Sequence, residues 1–200
     1  MNMLEKVKKL REETNAGVVD CKKALEESKG DLEKARLILR KKGAKIAQKK
    51  SGEVTNQGLI TSYIHHNGRV GVLVEAHCQS DFVAKNEEFQ QFVKNIAMQI
   101  AASNPKWVSQ EDVPQEKIEE ERKILTEQAK EEGKPSHIVE KIVEGRMKKF
   151  YEQVCLLNQP YIKDEEKTVK EYLQQMIAKL GENIRIARFV RFELGEIQKE

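Results

Sequence analysis

Residues 58–77 read GLITSYIHHNGRVGVLVEAH, two β-rich runs on either side of Asn67-Gly68. Asn-Gly is the favoured centre of a type I′ hairpin turn, because both positions tolerate positive φ. A two-residue loop sets His66 opposite Arg69, and therefore Tyr63 opposite Val72 and Leu59 opposite Ala76. Side chains alternate along a strand, so Leu59, Tyr63, Val70, Val72, Val74 and Ala76 share one face, the expected core side.

One hairpin needs a further partner to be stable, and the end of the chain offers one. Ile184, Ile186, Val190, Phe192 and Leu194 are expected on one side of a last strand, with Arg188 breaking the row. Arg185, Arg191 and Glu193 are expected on the other side. The residues between the hairpin and this strand have helical period. Phe89, Phe92, Val93, Ile96 and Ile100 make an apolar stripe that ends before Pro105. Pro114 opens a charged helix closed by Gly133 and Pro135, and Ser136 is placed to cap a return helix through Met147. Thr168 and Glu171 form a capping box for a helix carrying Val169, Tyr172, Leu173, Met176, Ile177 and Leu180, stopped by Gly181. Two neighbouring strands and a distant third, backed by helices, make an α+β body with a three-stranded antiparallel sheet.

Upstream of the hairpin the chain reads as three short helices, broken at Asn15-Ala16-Gly17 and at Gly30-Asp31. Residues 1–50 carry a net charge of +7 and residues 51–200 a net of −4. The break suggests two modules: a basic three-helix head over 1–52, and an α+β core over 53–200 with a helical hairpin near 114–147. Within the head, residues 40–52 are expected to be a solvated basic connector, helical in its middle.

Several functions lack support. The apolar runs are far shorter than a membrane span, and the start of the chain has no signal-peptide pattern. Cys21, Cys78 and Cys155 are odd in number and far apart, as reduced cytoplasmic thiols are. His65, His66, His77 and Cys78 cluster in sequence, but adjacent strand residues point to opposite faces and no zinc spacing is present, so no metal or cofactor is expected. No phosphate loop or catalytic set can be argued, and the chain is expected not to be an enzyme.

The stretch QSDFVAKN, residues 79–86, joins the hairpin to the next helix. From spacing, Ser80 or Asp81 caps that helix while Phe82 and Val83 pack beneath it. A resemblance changes the weighing. Leu10–Leu25 (LREETNAGVVDCKKAL) and Glu75–Asn86 (EAHCQSDFVAKN) resemble the two signatures of the elongation factor Ts family. Residues 145–150, 159–164 and 188–193 match further family segments in order. The match is to the short form. Val18-Val19 stands where the family has two methionines, and His77 and Ser80 where it has Asn and Thr.

The resemblance implies a ubiquitin-associated-like head and a role as guanine-nucleotide exchange factor for elongation factor Tu, in its GDP-bound and nucleotide-free states. It implies that Arg11, Val18 and Val19 bind the partner's G domain. It also implies that Ser80, Asp81, Phe82 and Val83 reach the region of its nucleotide-bound magnesium, which requires Asp81 and Phe82 to be exposed. A rival function is RNA binding through residues 40–50. That run lacks the interleaved aromatics that stack bases, so direct nucleic-acid contact is not expected.

Overall fold

The computed structural model describes residues 1–133 and 135–196. The head holds α1 (Met3–Thr14), α2 (Val18–Glu27) and α3 (Leu32–Lys50). Asn2 and Glu5 form a capping box at the start of α1, and the Asp31 carboxylate accepts the Lys34 N–H to start α3. Leu10, Cys21, Ala24, Leu25, Ala35 and Leu39 form a small core of their own.

Residues 40–50 are not a solvated connector. They are the second half of α3, and they bury Gly43 and Ala47. The reason is the row Ala35, Leu39, Gly43, Ala47 at i+4 spacing, in which the small Gly43 and Ala47 let a second helix approach. That helix is α8 (Val169–Leu180), which packs on α3 and carries the expected Thr168/Glu171 capping box. Arg40 also pairs with Glu171, and Lys42 with Asp20 at 2.5 Å.

The body's main sheet has the order β1 (Gln57–Ile64), β2 (Val70–Cys78), β5 (Arg185–Glu193), antiparallel throughout. Leu59 faces Ala76 and Tyr63 faces Val72, the register that the sequence implies. The turn itself differs. Gly68 has φ 67°, but Asn67 does not have positive φ, so the turn is not type I′. Instead the Gly68 N–H bonds the His65 carbonyl, the His65 N–H bonds the Val70 carbonyl, and residues 66–69 form a longer loop. His65 therefore leaves the strand, and its ring lies 4.2 Å from that of His66, not on the opposite face.

The last strand also departs from simple alternation. Glu75 pairs with Arg188 but Ala76 with Ile186, leaving Ala187 as an extra residue, a β-bulge. One extra residue inverts every side chain beyond it. Val190 and Phe192 thus face outward beside Leu73, Ile60 and Ile64, while Phe189 and Arg191 face the core side. Arg191 is at home there: its Nε donates to the Ala101 carbonyl at 3.3 Å, near the negative end of a helix.

That helix is α5 (Glu87–Ser103), which places Phe89, Phe92, Val93, Ile96 and Ile100 against Val72, Val74 and Ala76. A second small sheet, β3 (Pro160–Tyr161) with β4 (Asp164–Thr168), lies beyond it and has no clear period in the sequence. The hairpin consists of α6 (Gln115–Glu131) and α7 (Ser136–Val154), with its own core of Leu125, Ala129, Val139, Val143 and Met147. α7 runs past Met147, and Ser136 is its first residue, making no capping bond.

Candidate functional site

β2 ends at Cys78, whose buried thiol donates to the Ser80 carbonyl at 3.2 Å. The chain then turns through Gln79 and Ser80 into α4 (Asp81–Ala84), a single helical turn ahead of α5. The four residues singled out in the sequence divide into two pairs. Ser80 and Val83 belong to the scaffold: the Ser80 hydroxyl accepts the Val83 N–H at 3.2 Å, and Val83 packs on the body's core. Ser80, not Asp81, is the cap.

Asp81 and Phe82 face solvent. Phe82 is 85% exposed, the highest value among the exposed large hydrophobic residues described. A core position for its ring is ruled out, in contrast to what spacing alone suggests. Asp81 reaches Lys85 at 2.8 Å, and that hydrogen bond holds its carboxyl below the ordinary range. Removing a phenyl ring from water is worth about 2 kcal/mol. In the folded chain the Phe82 ring leaves that free energy unrealised.

The turn is held from outside by Glu182, which sequence reading missed. Its Oε2 accepts the Gln79 N–H at 3.2 Å and the Ser80 N–H at 3.1 Å, and its Oε1 accepts the Ser80 hydroxyl at 2.6 Å. Nothing in the sequence distinguishes a glutamate after a helix-ending glycine from a solvated one.

The head presents its residues separately. Arg11 lies in the last turn of α1, and Val18 and Val19 in the first turn of α2. All three are exposed, on either side of the Asn15–Gly17 break. They belong to different elements from α4, which packs on β1, β2 and α5. Between head and core, a cleft of about 510 Å³ is lined by residues of both, Glu13, Arg36, Arg40, Lys167 and Glu171 among them. Several of its charges pair with one another, among them Arg36 with Glu13 at 2.7 Å and Lys167 with Asp164 at 2.9 Å.

Among the described residues no group of three His, Cys, Asp or Glu side chains could hold a metal ion. His77 instead bonds Glu75 at 2.7 Å, and Glu75 bonds Arg188 at 2.6 Å. No described helix is long and apolar enough to cross a membrane.

A sequence profile described as elongation factor TS matches residues 1–196. The chain belongs to the elongation factor Ts family. A protein named elongation factor Ts from Thermoanaerobacter sp. (strain X514) is 62% identical over 190 residues, covering 95% of this chain and 93% of the relative. Its namesake from Caldanaerobacter subterraneus subsp. tengcongensis is 61% identical over 190 residues, covering 95% of each chain. That from Thermotoga neapolitana is 55% identical over 193 residues, covering 96% of this chain and 97% of its own. As a member of the elongation factor Ts family, the chain is a translation elongation factor, and its α+β architecture agrees with that family.

Proposed function

We propose that this protein is a guanine-nucleotide exchange factor for elongation factor Tu. It binds the GDP-bound partner, speeds GDP release and holds the nucleotide-free state, in the cytoplasm. The observation that carries the proposal is the exposed Phe82 on a turn whose backbone is fixed. Nucleotide in such partners is held by magnesium and by backbone N–H groups around its phosphates. A ring pushed between the elements that hold the metal displaces them, and the Asp81 carboxylate competes for polar partners there. Arg11, Val18 and Val19 anchor the basic head, over residues 1–52, on the partner's G domain, while the core over 53–200 carries the wedge.

No bond is made or broken by this chain, so it acts by binding and not as an enzyme. A thousandfold faster release requires about 4 kcal/mol of barrier lowering, within reach of a few buried contacts. By linkage, GDP weakens binding of this factor to the same degree.

RNA binding through residues 40–50 is the second function considered, because Lys41, Lys45 and Lys49 are exposed at i+4 spacing. Their neighbours Arg40, Lys42 and Lys50 are committed to Glu171, Asp20 and Glu53, which leaves a short basic row. The test follows release of labelled GDP from elongation factor Tu as this chain is added. Strong acceleration supports exchange. Unchanged release together with salt-sensitive RNA binding would replace the proposal with the RNA function.

A further inference from the structure

We infer that Glu182 is the positioning residue for Phe82: its carboxylate grips the backbone leading into α4 and so sets where the ring points. The inference rests on the proposed role of Phe82 as the wedge.

α4 has only the four residues Asp81–Ala84, and none of them is buried. A single turn of helix does not hold itself in water, because nucleation fixes several residues for one hydrogen bond. Phe82 cannot contribute, since its ring has almost no packing to return to. The turn therefore needs an external constraint.

Val83 and Ala84 pack on the body's core from beneath, and Glu182 supplies the constraint on the backbone that leads into the turn. Three donors converge on its two oxygens, the N–H groups of Gln79 and Ser80 and the Ser80 hydroxyl, from more than 100 residues away in the chain. Hydrogen bonds to a carboxylate are roughly twice as strong as neutral ones. The relay continues inward: the Ser80 oxygen that donates to Glu182 also accepts the Val83 N–H, directly after Phe82. Glu182 is half-buried. It follows Gly181, the left-handed end of α8, and precedes the buried Ile184. Its neighbour Asn183 donates to the Glu53 carbonyl at 2.7 Å. The grip thus transmits the position of α8 to the turn.

The experiment compares the full chain with Glu182→Ala, Glu182→Gln, Phe82→Ala and the double variant Glu182→Ala/Phe82→Ala, against elongation factor Tu loaded with fluorescent GDP. At saturating factor, Glu182→Ala is expected to slow release about tenfold, with the half-saturating concentration changed less than about twofold. Glu182→Gln keeps most of the rate, because its amide oxygen can accept both N–H groups while its NH₂ donates to the Ser80 oxygen. In the Phe82→Ala background, Glu182→Ala adds less than about twofold, since both act on one step. Amide hydrogen exchange of residues 79–83 rises in Glu182→Ala, while that of β2 and α5 is unchanged.

Two results overturn the inference and leave the wedge standing: wild-type release by Glu182→Ala despite faster exchange at 79–83, or a full tenfold effect added on top of Phe82→Ala. Wild-type release by Phe82→Ala is a different failure. It removes the wedge, and the positioning role falls with it.

Discussion

Gly43 of α3 faces Ala178 of α8 so closely that a Cβ added at Gly43 would lie 4.0 Å from the Ala178 Cβ and 3.9 Å from the Gln174 carbonyl oxygen. Both are ordinary contact distances, so an alanine fits where a larger side chain does not. Glycine in a helix interior costs about 1 kcal/mol relative to alanine. Gly43→Ala is therefore expected to raise the thermal midpoint by about 2–4 °C. Gly43→Leu should lower it, by forcing α3 and α8 apart. A destabilised alanine variant in a thermal melt would mean that the helices need closer contact than this spacing indicates.

Gly58 is the opposite case. It sits in β1 opposite His77 with φ +154°, and an added Cβ would fall 2.1 Å from the Ala76 carbonyl oxygen. Backbone cannot retreat as a side-chain tip can, so Gly58→Ala should cost about 3 kcal/mol. Gly71→Ala supplies the contrast, because its Cβ would meet only the Ile64 Cδ1 at 3.0 Å, the end of a flexible chain. Urea midpoints of the two variants test this, and equal losses would sink the argument.

These positions mark where sequence was readable and where it was not. The hairpin register was legible because Leu59 and Ala76 are fixed by alternation and by the position of the turn, whatever the turn's own type. The turn type was not, since Asn67 tolerates positive φ without requiring it. The outward facing of Val190 and Phe192 was illegible, because the bulge at Ala187 depends on pairing with Glu75 and Ala76, far away in the chain. The burial of Gly43 and Ala47 was hidden by the lysines around them, which dominate composition and say nothing of the opposite side of the helix. The motif around Asp81 and Phe82 was found by resemblance, but Glu182 carries no local signal.

Cys78 and Cys155 give a pH prediction. Burial pushes each thiol up from 9.0 to about 11, with nearby carboxylates adding to it: Glu182 for Cys78, Asp112 and Glu111 for Cys155. The unfolded chain then loses these protons from about pH 9 upward, while the folded chain keeps them until about pH 11. A raised folded pKa means that stability is full below pH 9 and falls as pH rises through this window. The Cys78→Ala/Cys155→Ala double variant lacks both groups. Its urea midpoint should fall less steeply than that of the natural chain between pH 9 and 10.5, and identical slopes would refute the role of the thiols.

Truncating Phe82 should separate folding from the proposed function. A ring in the core would cost about 3–5 kcal/mol on truncation to alanine. At 85% exposure Phe82 has little to lose, and Phe82→Ala should stay within about 0.5 kcal/mol of the natural stability. Catalysed GDP release should slow by at least about tenfold, the cost of one well-placed apolar anchor. Phe82→Leu should retain part of the rate, keeping apolar bulk but not the flat ring. Asp81→Ala should also slow release with little loss of stability, since Ser80 and not Asp81 caps the turn. Ser80→Ala, by contrast, should cost about 1 kcal/mol in stability as well as rate. Thermal melts and nucleotide release are measured on the same preparations, with rates expressed per folded molecule. A Phe82→Ala protein that melts many degrees early yet releases GDP at the natural rate would return the ring to a purely structural role.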